Sequence, residues 1–264
     1  MLALHPHVRL RQCASRNLEI ERVYLDLIAR ARRFIYAESQ YFSSRRIAEA
    51  IAGRLEEADG PEIVLINPVS SHGWLEPIAM DTARARLFEA LRRLDRQGRL
   101  RLYHPVTASG QPIYVHAKLM VVDDEVLHVG SSNMNNRSMR LDTECDVTID
   151  AGLAGNAQAT VGIARIRTSL LAEHLDVSAD RINDVFATTG SLIRTIETLR
   201  SPGRSLVPYQ VPDLHDVEKW LADNQVLDPD SPSEMLENMT QGKLLRGLRQ
   251  RMARLRSGRV RKHG

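Results

Sequence analysis

Long apolar runs are what this sequence most plainly does without. Nowhere in its 264 residues do apolar side chains continue for the roughly 20 positions that a membrane-crossing helix requires. The opening, MLALHPHVRLRQC, lacks the apolar centre of a secretory leader. These two absences predict an intracellular, cytoplasmic protein. Cysteine is nearly missing too: Cys13 and Cys145 are too few for a disulfide framework, and neither sits in a CxxC or in a cysteine/histidine cluster with zinc spacing. Ordinary reduced thiols are expected, and neither a metal nor a cofactor. Acidic residues are missing from one stretch, the carboxyl-terminal GKLLRGLRQRMARLRSGRVRKHG, which supplies much of the formal net charge of +3. Such a tail suits an anionic lipid surface and nucleic acid equally well.

What is present reads as a layered α/β protein. A hydrophobic fraction of 43% over this length fits a soluble chain with a real core. LEIERVYLDLIARARR places Ile20, Val23, Leu27 and Ile28 at helical spacing and runs into the strand-like FIYAESQYF. The helical pattern returns through Ile47, Ile51 and Leu55, capped by Ser43 or Ser44 and stopped at Gly60-Pro61, before the apolar strand EIVLINP. A third helix through Ala83, Leu87, Leu91 and Leu94 leads to the strand RLRLYHPV. This alternation predicts helices packed on a sheet. After Asp150 no further strand is expected. Two helical patterns follow, through Ile163, Ile166, Leu170 and Leu171 and through Ile182, Phe186, Ile193 and Ile196, and from Ser201 a proline- and acid-rich wrap. The expected domains are residues 1–212 and a linker with basic tail, 213–264.

The informative stretch is YVHAKLMVVDDEVLHVGSSNMNNRSMRLDTECDV, where a histidine and a lysine interrupt an apolar strand. Residues two apart in a strand share a face, so His116 and Lys118 form a cationic pair, which suits an entering anion such as phosphate. Asp123, Asp124 and Glu125 read as a hairpin turn, after which VLHV returns to deliver GSSN beside the pair. There Gly130 lets the backbone bend, and Ser131 and Asn133 offer a hydroxyl and an amide. NMNNRSM starts a helix whose first N–H groups favour anions. Histidine can attack phosphorus or deliver a proton, given a group that fixes its tautomer. Asp142 and Glu144 are the nearest downstream carboxylates, and strand alternation would put both on one face.

His116, Lys118, Asp123, Gly130, Ser131 and Asn133 fit the spacing HxK, four residues, D, six residues, GSxN, which resembles the HKD signature of the phospholipase D superfamily. FIYAESQYF, NNRSMRLDTE and SLLAEHL are similar to segments of the carboxyl-terminal half of phospholipase D and cardiolipin synthase-like proteins. The resemblance runs from Leu18 to about Asp230. It implies a phospholipase D-like layered fold, a mixed β-sheet flanked by helices forming one half of a two-motif bilobed enzyme. It implies catalytic residues His116, Lys118, Asp123 and Glu144, with His116 forming or assisting a phosphohistidine and Glu144 orienting its imidazole. Asp123 is usually structural in such families. Ser131 and Asn133 would hold phosphate oxygens, and Glu38 and Gln40 of ESQYF would line the pocket.

The larger members of that superfamily build one site from two HKD motifs. This chain has one: none of His5, His7, His72, His104, His128, His174, His215 and His263 is followed two residues later by lysine. The second histidine is expected from a homodimer partner or from a second HKD half. The expected function is a phosphodiesterase or phosphatidyltransferase on phospholipid. A homodimeric nuclease and a non-catalytic HKD half are the alternatives, nucleic acid being the less favoured substrate. Leu244, Leu248, Met252 and Leu255 form an apolar stripe among arginines in the tail, as in a helix lying on the inner face of a membrane, although a solvated helix fits the same pattern. His72, Trp74 and Glu76 would border a substrate entrance or pack their own loop.

Overall fold

The first helical stripe forms α1 (Glu19–Arg30), which turns Tyr24, Leu27 and Ile28 inward. The second forms α2 (Arg45–Glu56), started by Ser44, whose side chain accepts a hydrogen bond from the Ile47 N–H. In this computed structural model, which describes residues 18–70 and 76–211, β1 (Phe34–Ser39), β2 (Glu62–Ile66) and β3 (Leu100–Val106) run parallel, joined through α2 and α3 (Glu76–Leu94). β4 (Lys118–Val122) lies antiparallel on the other side of β1, followed by β5 (Val126–Gly130), the short α4 (Asn136–Arg140) and β6 (Asp146–Asp150). α5 (Ala159–Leu175), α6 (Ala179–Thr189) and α7 (Leu192–Leu199) follow, then β7 (Ser205–Pro208). The result is a seven-stranded mixed sheet in the order β6-β5-β4-β1-β2-β3-β7.

The pleat divides the core in two. Ile35, Ala37, Met120 and Val122 meet Leu27, Ile28, Ile47, Ile51 and Leu91 of α1 to α3. Phe34, Tyr36 and Val121 meet Ile163, Leu171, Ile182, Leu192 and Ile196 of α5 to α7. Every residue of β1 is buried, as suits a central strand covered on both faces.

The structure corrects two expectations downstream of Asp150. The second helical pattern is two helices: Gly190 ends α6 at a φ of +63°, and the Ser191 hydroxyl, accepting from the Arg194 N–H, starts α7. The region from Ser201 is not only a wrap, because Ser205–Pro208 pairs with Val106–Tyr103 as an edge strand, where a proline is tolerated. Among the described residues, no helix is long and apolar enough to cross a membrane. Cys13, His72, Trp74 and the whole of 213–264, including the leucine and arginine stripe, lie outside the described residues.

Candidate active site

Strand direction alone gathers the site. β1 ends at Ser39 opposite Lys118, the first residue of β4. β5 ends at Gly130 near the start of β4, and β6 begins there at Asp146. One end of the sheet therefore collects His116 ahead of β4, Gln40 beyond β1, Ser131 and Asn133 beyond β5, and Glu144 ahead of β6.

His116 differs from its expected place: the strand begins two residues later, and the imidazole is exposed. It stacks on Tyr114, ring centroids 6.3 Å apart and planes 25° from parallel, and no described residue hydrogen-bonds it. Lys118 is half-buried. Its Nζ donates to Gln40 Oε1 at 3.2 Å and to the His116 carbonyl at 3.1 Å, which leaves one of its three protons for an entering anion. Burial holds its pKa below the usual lysine value, opposed by the nearby Glu144 carboxylate. Gln40, 8% exposed, is the hub: its Nε2 donates to the hydroxyls of Tyr114 at 2.6 Å and Tyr41 at 2.9 Å. Sequence reasoning missed Tyr114, although its position two residues before His116 was a signal.

On the β5 side, Ser131 Oγ donates to Glu144 Oε2 at 2.5 Å and accepts from the Cys145 N–H at 2.9 Å. Asn133 is buried, and neither of its amide atoms has a partner among the described residues. Gly130 is needed for close approach rather than for a bend: its φ is not positive, and a Cβ there would sit 1.9 Å from Asp146 Oδ1. The expected anion-binding helix start is also revised, since α4 has five residues and the Asn135 side chain takes the Ser138 N–H.

Three carboxylates stand elsewhere. Asp123 lies at the far end of β4, about 16 Å from Lys118 by strand rise. It is buried, and its oxygens accept the N–H groups of Arg32, Arg33 and Phe34 at 2.7 to 2.8 Å. That geometry corrects its placement with the catalytic residues: it ties the β4–β5 turn to the start of β1. Glu38 is buried and held by the Tyr36 hydroxyl and by His174 Nε2 at 3.0 Å, on the α5 side of the sheet. Asp142 pairs with Arg137. Glu144 is at the expected end of the sheet, but the residue that hydrogen-bonds it is Ser131, not His116.

Residues 91–202 match the family model described as Phospholipase D. The chain is 28% identical over 221 residues to phospholipase D zeta 2 of Arabidopsis thaliana, covering 63% of this chain and 21% of that protein. It is 26% identical over 230 residues to a phospholipase D of Phytophthora infestans, covering 69% of this chain and 13% of that protein. The chain thus spans about a fifth or less of these relatives' length. Among solved structures it is similar to the phosphatidylserine synthase of Haemophilus influenzae Rd KW20, with a TM-score of 0.47 and 17% identity, over 69% of this chain and 44% of that one.

Proposed function

Because the chain belongs to the phospholipase D superfamily, we propose that it supplies one half of a site that cleaves or transfers the phosphodiester of a phospholipid. The observation that carries this reading is the convergence, at one end of the sheet, of an exposed imidazole, a lysine with a proton to spare and an unpartnered amide. His116 Nε2 or Nδ1 attacks phosphorus. The P–N bond forms as the P–O bond to the leaving alcohol breaks, and that oxygen takes a proton from a second acid. Water or an alcohol then attacks phosphorus, giving its proton to the group that had protonated the leaving oxygen, as the P–N bond breaks and frees the histidine. Lys118 neutralises charge on the phosphoryl oxygens, and Ser131 and Asn133 hold them. Glu144 orients the imidazole once the phosphate has taken the Ser131 hydroxyl. Lipid is favoured over nucleic acid because both curated relatives are named as phospholipases D.

The second acid comes from another HKD half, either a second copy or a further segment of a longer protein. The test compares phosphatidylcholine or phosphatidylglycerol vesicles with a DNA oligonucleotide, with and without His116→Ala. Histidine-dependent release of head group is expected once the second half is present, as a second copy of this chain or as the added segment. Cleavage of the oligonucleotide alone would replace this reading by the nuclease.

A further inference from the structure

Beneath the turn that carries Ser131 and Asn133 lie buried polar side chains that the phosphoryl chemistry leaves unused. His128 of β5 is 1% exposed and on the α1 side of the sheet, its ring edge-on to Tyr24 at 5.0 Å. Its Nδ1 is 2.8 Å from Thr148 Oγ1 and its Nε2 is 3.1 Å from Asp146 Oδ2. Burial holds its pKa below the usual histidine value, opposed by Asp146, which favours the neutral ring. A neutral imidazole has one N–H and a carboxylate only accepts. The proton therefore sits on Nε2, facing Asp146, and Nδ1 accepts from the Thr148 hydroxyl.

Asp146 is fully engaged in turn. Oδ1 accepts the N–H groups of Ser131 at 2.9 Å and Ser132 at 3.2 Å, and Oδ2 accepts the Ser132 hydroxyl beside His128. The Tyr24 hydroxyl donates to the Ser132 carbonyl at 3.1 Å. The N–H groups of Ser131 and Ser132 thus point down into the sheet, away from an entering anion, and the Ser131 hydroxyl and the Asn133 side-chain amide are left as side-chain groups of the turn to meet one. An apolar pair would fill the same space without the desolvation cost of a buried carboxylate.

We infer that Asp146, oriented by His128 and Thr148, is a positioning residue that fixes the turn so that Ser131 and Asn133 face the bound phosphoryl group. The inference rests on the reading of that turn as the phosphate cradle. Removing Asp146 frees two N–H groups and lets the turn move, while Lys118, on the neighbouring strand, keeps its place.

The test is calorimetric titration of the full chain with inorganic phosphate, which needs no second catalytic half. Asp146→Ala should weaken binding about tenfold, the scale of one misaligned hydrogen bond, and so should Ser131→Ala. If Asp146 acts through Ser131, the double variant should lose no more than the weaker-binding single variant. Asp146→Asn should bind within about threefold of the wild type, because its amide oxygen keeps both N–H groups while His128 switches tautomer to accept from the new NH2. Nitrogen NMR of His128 should show Nε2–H in the wild type and Nδ1–H in Asp146→Asn. Should Asp146→Ala not fold, Thr148→Val takes its place, with about a threefold loss that vanishes in a Ser131→Ala background.

Loss of binding in Lys118→Ala with wild-type binding in Asp146→Ala would overturn this inference alone. Equal binding by wild type and Lys118→Ala, or none by either, would overturn the cradle and the inference with it. Losses that multiply in the double variant, or an Nδ1–H tautomer in the wild type, would overturn positioning through Ser131.

Discussion

The Ser131 hydroxyl spends its only proton on the Glu144 carboxylate, 2.5 Å away, and on the proposed reading a phosphate oxygen would take the carboxylate's place. Serine has one hydrogen to give, so a bound phosphoryl group competes with Glu144 for it, and the carboxylate also repels the anion. Glu144→Gln should therefore bind inorganic phosphate severalfold more tightly than the wild type. Turnover on phospholipid should fall in the same variant, because the neutral amide no longer stabilises a cationic imidazole. Weaker phosphate binding in Glu144→Gln, measured by the same calorimetric titration, would remove Glu144 from the site.

His116→Ala should abolish chemistry and leave stability unchanged, since the imidazole is exposed and no described residue hydrogen-bonds it. The loss should exceed the roughly 10²–10⁴-fold typical of one acid–base group if His116 is the nucleophile, and lie within that range if it only delivers a proton. Thermal melting and turnover of the same preparation separate the two effects. Unchanged turnover would refute both roles.

Asp123→Ala should do the reverse and unfold the chain more readily. The carboxylate satisfies three backbone N–H groups at the start of the central strand. The Phe34 N–H is buried and those of Arg32 and Arg33 only partly so, and each donor left unpaired out of reach of water costs about 1–3 kcal/mol, against the about 5–15 kcal/mol that holds a typical domain. Asp123→Asn keeps one acceptor oxygen and should lose about half as much. Urea denaturation checks both variants. A variant as stable as the wild type but catalytically dead would return this carboxylate to the chemistry.

Much of this arrangement is legible in the sequence, and the remainder fails for identifiable reasons. Periodicity marks α1, α2 and β2, and the motif spacing brings Lys118, Ser131 and Asn133 to one end of the sheet because a hairpin with its turn at Asp123-Asp124 is local in sequence. Both turn residues have φ near +60°, which aspartate tolerates better than most. The Ser205–Pro208 edge strand is hidden because its partner, β3, is about 100 residues away and its composition is that of a loop. The buried pair of His128 and Asp146 depends on the register of β5 against β6, which a side-chain pattern does not fix until the pairing is known. A histidine inside VLHV was nevertheless the same kind of signal as the histidine before Lys118.

Lys118 sets a pH limit. Its folded pKa lies below the usual lysine value because of burial, so as pH rises the ammonium loses its proton earlier than an exposed lysine would, whose pKa is about 10.4. Once the phosphate itself has lost its second proton, above neutrality, its affinity should therefore fall on an alkaline limb below that value. Lys118→Arg, which stays charged, should bind more weakly for want of the Gln40 geometry but show no such limb. The chelator EDTA should leave wild-type binding intact, because the positive field comes from the ammonium. An identical alkaline limb in Lys118→Arg would assign the titration to another group.

Assembly follows from the number of usable imidazoles. Attack on phosphorus and protonation of the departing oxygen take place on opposite sides of the phosphoryl group, and one ring does not reach both. The other described histidines are committed elsewhere: His128 to Asp146 beneath the turn, His174 to Glu38 on the α5 side, and His104 to β3, about 10 Å across the sheet from β1. The isolated chain should therefore be inactive as a monomer. If two copies complete the site, specific activity should fall on dilution through the dimer dissociation constant, and wild type mixed with excess His116→Ala should lose activity as mixed dimers form. If a further segment of a longer protein completes it, this chain alone should stay inactive at every concentration and gain activity when that segment is added. Light scattering and assay at one concentration read the outcome. Full specific activity from a demonstrated monomer would mean that the second acid lies within this chain and has been misassigned.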